Sequence, residues 1–238
     1  MDLDIFEIII KIVPIESNIK TYNQMKKLLL FLFLLCFSLS VKAQSSCPDN
    51  NHPHMIDLGL ESGTLWACCN VGASKPEDVG GYYAWGETEM KSEYDYLTYK
   101  HFDQQLVEYI NIGDDITGTK YDVAHVIWGN LWIMPNFGHI MELEGACELV
   151  WTTINGHEGI LVTGPSYKSI FLPAAGVRLG EDLEYNGVLG CYWSGWMSNK
   201  LEEKKAVMLL FKSSDWTWDS QLRQCGMQVR PVCPKAQK

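Results

Sequence analysis

Histidine, cysteine and one string of alternating tryptophan and aspartate are the residue types through which this chain could do chemistry. The six histidines are His52, His54, His101, His125, His139 and His157, and only His52 and His54 lie close together, in a His-Pro-His string. Two ligands in an arm do not make a metal site, so a solvated segment is the simpler reading. No histidine stands beside a serine or cysteine in a nucleophile motif, and Gly-x-Ser-x-Gly is absent, so hydrolase chemistry is not indicated. Asp215-Trp216-Thr217-Trp218-Asp219 has the composition of a sugar-binding strand, with indole faces to stack on rings and acids to grip hydroxyls. As a strand it sets Trp216 and Trp218 on one face and Asp215, Thr217 and Asp219 on the other. Tyr94, Asp95, Tyr96 and Tyr99 form a second cluster of similar composition. Against both stands the plain alternative that the rings are packing, since nine tryptophans in one domain must mostly be buried. Gly113-Asp114-Asp115 offers oxygen ligands for a cation, but such turns usually just solvate a loop. No metal and no cofactor is expected.

Cysteine use depends on compartment. Met25-Lys26-Lys27 is a short positive segment, followed by an apolar run from Leu28 to Leu39 and by Val41-Lys42-Ala43. This is the pattern of a secretory signal peptide over 25–43, cleaved after Ala43. The run is too short for a hydrocarbon core, which needs about 20 helical residues, so no transmembrane anchor is expected in the mature chain. Lipidation at Cys47 is the weaker reading, because Gln44 stands where an apolar residue is wanted. Residues 1–24 carry Asp2, Asp4, Glu7 and Glu16 and read as a non-native upstream extension, with Met25 as the start. The mature chain, 44–238, then has 14 Lys plus Arg against 25 Asp plus Glu, a net charge of −11 that opposes nucleic acid and anionic membranes.

Seven cysteines follow Ala43, at 47, 68, 69, 147, 191, 225 and 233. In an oxidising compartment they read as disulfides with one odd thiol. No Cys-x-x-Cys occurs and no cysteine lies at zinc-finger spacing from a histidine. One pairing joins Cys69 to Cys147, Cys191 to Cys225 and Cys47 to Cys233, leaving Cys68 over. Six cysteines allow 15 connectivities, and spacing does not choose among them.

The elements that must position these residues are mostly short strands bounded by Gly, Pro or Asn. They are expected at Met55–Leu60, Thr64–Asn70, Gly81–Trp85, Val150–Ile154, Gly159–Thr163, Ser169–Pro173, Cys191–Ser194, Ala206–Lys212, Asp215–Asp219 and Met227–Val232. Asn155-Gly156 predicts a tight hairpin. Helices are expected over Tyr121–Trp128 and Phe137–Cys147, the second capped by Asn136 and with Cys147 facing the core. Strands flanking two helices point to an α+β domain. Residues 90–120 read as a long polar excursion, and Arg230 as a buried cation served by carbonyls or a carboxylate such as Glu87 or Asp57.

Several strings occur in an order that resembles the Fibrobacter succinogenes major paralogous domain family. They are Ile56-Asp57-Leu58-Gly59-Leu60, Ser62-Gly63-Thr64-Leu65-Trp66-Ala67, Cys69-Asn70-Val71-Gly72-Ala73-Ser74 and Tyr83-Ala84-Trp85-Gly86-Glu87-Thr88. Further along come Tyr121-Asp122, Trp128-Gly129, Trp132 with Met134-Pro135, Phe171-Leu172-Pro173-Ala174-Ala175-Gly176, Tyr192-Trp193-Ser194 and Val229-Arg230-Pro231-Val232. Ile133 and Gly195 depart from the pattern, where the family has Arg and a second Ser. The resemblance spans 55–233, between an N-terminal arm (44–54) and a short tail (234–238). It implies a C-type lectin-like fold, with two helices beside small twisted antiparallel sheets, in an exported protein of Bacteroidetes-like bacteria. The function it suggests is a secreted or surface-exposed, non-catalytic binding module for a glycan or another envelope component, with Trp216, Trp218, Asp215, Asp219, Tyr94 and Tyr96 as candidate contacts. A structural subunit of an envelope or adhesive assembly is the alternative. An enzyme of the more distant formylglycine-generating group is a third, but that group's catalytic surroundings are not found around Cys68-Cys69.

Overall fold

Asn155 and Gly156 both take positive φ, 50° and 86°, and turn the chain through the tight hairpin that their residue types predict. The hairpin joins β5 (Glu148–Ile154) to β6 (His157–Thr163), and β6 pairs in turn with β7 (Ser169–Pro173). The computed structural model describes residues 47–48, 51, 54–129, 131–198 and 204–235, all within one unit spanning Ala43–Lys238. The expected upstream extension, signal peptide and cleavage site, and His52, lie outside the described residues. Among the described residues, no helix is long and apolar enough to cross a membrane.

Four further small sheets complete the set. β1 (Met55–Asp57) and β13 (Val232–Cys233) both pair with β2 (Leu65–Ala67), so the two ends of the domain share one sheet. β10 (Gly190–Met197), β11 (Lys205–Lys212) and β12 (Asp215–Leu222) form a meander with β12 at its edge. Two-stranded ribbons come from β3 (Phe102–Asp103) with β4 (Glu108–Tyr109), and from β8 (Val177–Leu179) with β9 (Asp182–Glu184). Every strand pairing in these sheets is antiparallel.

The two helices are α1 (Val123–Trp128) and α2 (Phe137–Ala146). Asp122 caps α1: one carboxylate oxygen accepts from the N–H groups of Ala124 and His125, the other from those of Gly118 and Met134. Asn136 caps α2 through the N–H of His139, whose Nδ1 accepts from the Asn136 N–H in return. Both helices form where expected, yet they are minor elements of six and ten residues. The α+β, C-type lectin-like expectation is therefore corrected: the fold is largely β, built from small antiparallel sheets, and it carries no C-type lectin-like signature. The physical reason is that most buried side chains are carried by strands and by the irregular segments between sheets. Leu143 and Ile140 alone of α2 are fully buried.

Two expected strands are reduced to contacts between irregular segments. Of Gly81–Trp85 only Tyr83 bridges, to Met227, and Met227–Val232 becomes a strand only at its end. The core divides into one cluster around Trp85, Trp193, Met227 and the cysteines, and a second around Trp66, Leu143, Leu172 and Phe211. Indole N–H groups tie the first together: Trp85 donates to the Ser194 carbonyl and Trp193 to that of Tyr83, each at 2.9 Å. Gly195 lies in the bulged part of β10, where a Cβ would stand 2.4 Å from the Thr117 methyl. Its lack of a side chain is a matter of room.

Candidate functional site

The aromatic strand forms as expected, and its two tryptophans have different fates. Trp216 stacks on Phe211, with ring centres 5.6 Å apart and planes 11° apart, and belongs to the second core cluster. Trp218 is 50% exposed and meets Phe137 of α2 edge-on at 5.0 Å. Asp215 and Asp219 are exposed on the opposite face of the edge strand. Indole and carboxylate on one strand cannot converge on one ligand, so this strand offers Trp218 alone as a contact surface.

The tyrosine cluster of the excursion is divided in the same way. Tyr94 is buried and its hydroxyl donates to the Tyr82 carbonyl at 2.6 Å, so it is a packing residue and no ligand contact. Tyr99 is buried too, donating to the Trp85 carbonyl at 2.6 Å. Tyr96 is 49% exposed and packs edge-on against Phe102. The segment closes over Arg223, whose guanidinium lies over the rings of Trp85, Tyr99 and Tyr109 at 5.0, 5.4 and 5.6 Å. Glu87 does not pair with Arg230. Its carboxylate accepts from Lys91 at 3.1 Å and from the Lys100 N–H at 2.7 Å.

A cleft of about 500 Å³ lies where four separate segments meet. Pro48 comes from the arm, Gly72, Ala73 and Ser74 from the turn after β2, Thr88, Glu89 and Met90 from the start of the excursion, and Ile127 and Trp128 from α1. Tyr83 completes the wall. The lining mixes indole and phenol with hydroxyls and one carboxylate. A hydrogen bond from Lys100 holds the Glu89 carboxyl below the usual range, so it is ionised at neutral pH. No second carboxylate, histidine or cysteine is among the lining residues. This cleft escaped sequence reasoning because its residues come from segments far apart in the chain.

Cysteines gather at one edge of the first core cluster. The sulfurs of Cys47, Cys68 and Cys69 all lie within 4.8 Å of one another, and all three residues are buried. His54 Nδ1 stands 3.7 Å from the Cys68 sulfur. The neighbouring Cys68 and burial push the Cys69 thiol far up. No disulfide joins any two described cysteines. Cys69 has Cys47 and Cys68 for neighbours, while Cys147 packs half-buried against the other core cluster, so the Cys69–Cys147 pairing is not what the fold juxtaposes. Cys47 likewise sits in this trio, where the pairing above placed it with Cys233. Cys191 and Cys225 share the first cluster, where burial pushes both thiols up to about 12.

Beside the trio lies Arg230, fully buried. It donates to Asn70 Oδ1 at 2.8 Å and to the carbonyls of Ala67, Cys68 and Phe171 at 3.1, 2.8 and 2.7 Å. The expected carboxylates, Glu87 and Asp57, are not its partners. No family model, curated protein or solved structure matches the chain.

Proposed function

We propose that the mature chain is a non-catalytic binding module, exported after cleavage near Ala43, for a glycan or another component of the cell envelope. The observation that carries this reading is the lining of the cleft. Ser74, Thr88 and Glu89 supply hydroxyls and an ionised carboxylate at its rim, over a floor that the buried rings of Trp128 and Tyr83 close, a lining that suits a polyhydroxylated ligand. A strongly acidic chain turns away nucleic acid and anionic lipid, which leaves neutral and polyhydroxylated partners in favour. The ordered strings resembling the Fibrobacter succinogenes major paralogous domain family support export and a binding role.

The test is a glycan-array and bacterial-polysaccharide screen on the purified protein. A reproducible ligand, bound at least about tenfold more weakly by Thr88→Ala/Glu89→Gln and unchanged by Trp218→Ala, supports the cleft. The converse pattern moves the site to the exposed edge of β12. A folded protein that binds no saccharide, and co-purifies in a stable envelope complex, replaces the binding module with a structural subunit.

A further inference from the structure

Cys47, His54, Cys68 and Cys69 are separated by up to 22 positions, and two pairings bring them together. β1 pairs with β2 from Met55–Ala67 onward, and beyond that ladder the Cys68 N–H donates to the His54 carbonyl at 3.0 Å. This holds the residue before β1 against the residue after β2. The chain then bends at Cys68 and Cys69, which lets two adjacent side chains turn to one side where a continued strand would send them to opposite faces. Cys47 closes the group from the arm, its thiol donating to the Ser74 carbonyl.

Distances and chemistry agree on what such a group holds. Zinc bonds of about 2.3 Å to sulfur and about 2.0–2.1 Å to nitrogen give a tetrahedron with edges of roughly 3.8 Å between sulfurs and roughly 3.6 Å between sulfur and nitrogen. The 3.7 Å from His54 Nδ1 to the Cys68 sulfur fits such an edge, and the three sulfurs lie mutually within 4.8 Å; the imidazole, which is not within that distance of all three, must swing inward to complete the tetrahedron. Three thiolates, one imidazole and a divalent ion carry one net negative charge. Arg230 supplies the opposite charge: it is buried, its four hydrogen bonds all go to neutral acceptors, and its guanidinium lies within electrostatic reach of all three sulfurs. A buried cation among neutral acceptors is costly unless an anion lies near it, and a thiolate–metal group provides one.

We propose that Cys47, His54, Cys68 and Cys69 form a structural Cys₃His zinc site, charge-balanced by Arg230. Four protein ligands close the coordination sphere, which makes the site structural and not catalytic. It staples the N-terminal arm to the β1–β2–β13 sheet. Because Pro48 lines the cleft next to Cys47, the metal also fixes one wall of that cleft. The inference stands independently of the binding role.

The test uses the full chain, purified under reducing conditions, stripped of metal and titrated with cobalt(II) and then zinc(II). One cobalt per chain is expected, with the visible bands of a tetrahedral centre and thiolate-to-metal charge transfer, displaced by zinc. Cys47→Ser and Cys69→Ser should weaken zinc binding by more than the roughly 10–100-fold that loss of an outer-shell partner costs. His54→Gln, at a half-buried position that keeps its fold, should weaken it measurably, and Cys233→Ser should not. Zinc should also raise the melting temperature of the parent chain, a readout that needs no variant. Octahedral cobalt spectra, or zinc affinity unchanged in both His54→Gln and Cys47→Ser, would overturn the site. So would a disulfide between Cys47 and either neighbour in chain purified without reductant, if the reduced chain then takes up no zinc.

Discussion

Arg223 and Arg230 are both fully buried, close in sequence, and held by opposite means. Arg223 lies among three aromatic faces, with Nε donating to the Tyr99 hydroxyl at 3.0 Å and Nη2 to the Ile110 carbonyl at 3.1 Å. Arg230 sits in a nest of carbonyls and one amide, where four N–H groups each meet a named acceptor. The acceptors are themselves fixed: Asn70 Nδ2 donates to the Val79 carbonyl at 2.8 Å and to the Tyr192 hydroxyl at 3.2 Å. A π face accepts a cation over a broad range of positions, whereas a carbonyl accepts along a narrow one. The excursion that wraps Arg223 is therefore expected to tolerate change, and the sheet that joins the chain ends around Arg230 is not.

The largest expected effect follows directly. Arg230→Met strands Asn70 Oδ1 and three carbonyls without donors and should cost about 3–5 kcal/mol, or prevent folding, in urea unfolding of the reduced chain. Arg223→Met removes the donors to the Tyr99 hydroxyl and the Ile110 carbonyl but keeps an apolar side chain against the ring faces, and should cost less, about 2 kcal/mol. Equal losses would break the comparison. Lysine sharpens it, since an ammonium keeps its attraction to aromatic faces but cannot reach four fixed acceptors. Arg223→Lys should thus recover part of the loss, and Arg230→Lys almost none.

Aromatic stacking appears again in β12, where the indole N–H of Trp216 is buried and makes no hydrogen bond to any described residue. Trp216→Ala should cost about 2–3 kcal/mol through lost packing on Phe211, and Trp218→Ala less than about 1 kcal/mol. Similar costs for the two would mean that Trp218 is held more firmly than its 50% exposure indicates.

The smallest effect tests a directional contact by pH. His139 accepts the Asn136 N–H through Nδ1, which requires the neutral ring, and burial holds its pKa below the usual 6.5. With the folded value below the unfolded one, the contribution is complete above the unfolded pKa. It is lost as pH falls through the folded value. A capping contact of this kind is worth about 1 kcal/mol. His139→Gln, which keeps an acceptor at the third helical position but does not titrate, should flatten the slope of stability against pH below about 6.5. An unchanged slope would assign the pH dependence to other groups.

Local chemistry was legible wherever a few neighbouring residues decide the outcome. Asn136 marked the start of α2, Asn155-Gly156 marked the β5–β6 turn, and Ser169–Pro173 formed β7 over its whole expected span. Alternation separated the β12 tryptophans from its aspartates correctly. What alternation could not say is that Trp216 would be covered by Phe211, since that depends on the register of β11 against β12. The helices were found but overvalued. Their pattern does not reveal how little of the core they carry.

Spacing along the chain misled most where the sheet of the two ends closes. Cys47, His54 and Cys68-Cys69 match no metal-binding spacing, and Arg230 was expected near an acid because a buried charge usually has one. By itself the sequence determined the turns, the caps, the strand periodicity and the acidic surface, all properties of contacts within about ten residues. Only the tertiary structure decided that three thiols meet beside Arg230 with His54 against one of them, and that arm, turn, excursion and helix enclose one cleft. Those juxtapositions follow from pairing β2 with strands from both ends of the domain, and no local pattern encodes that choice.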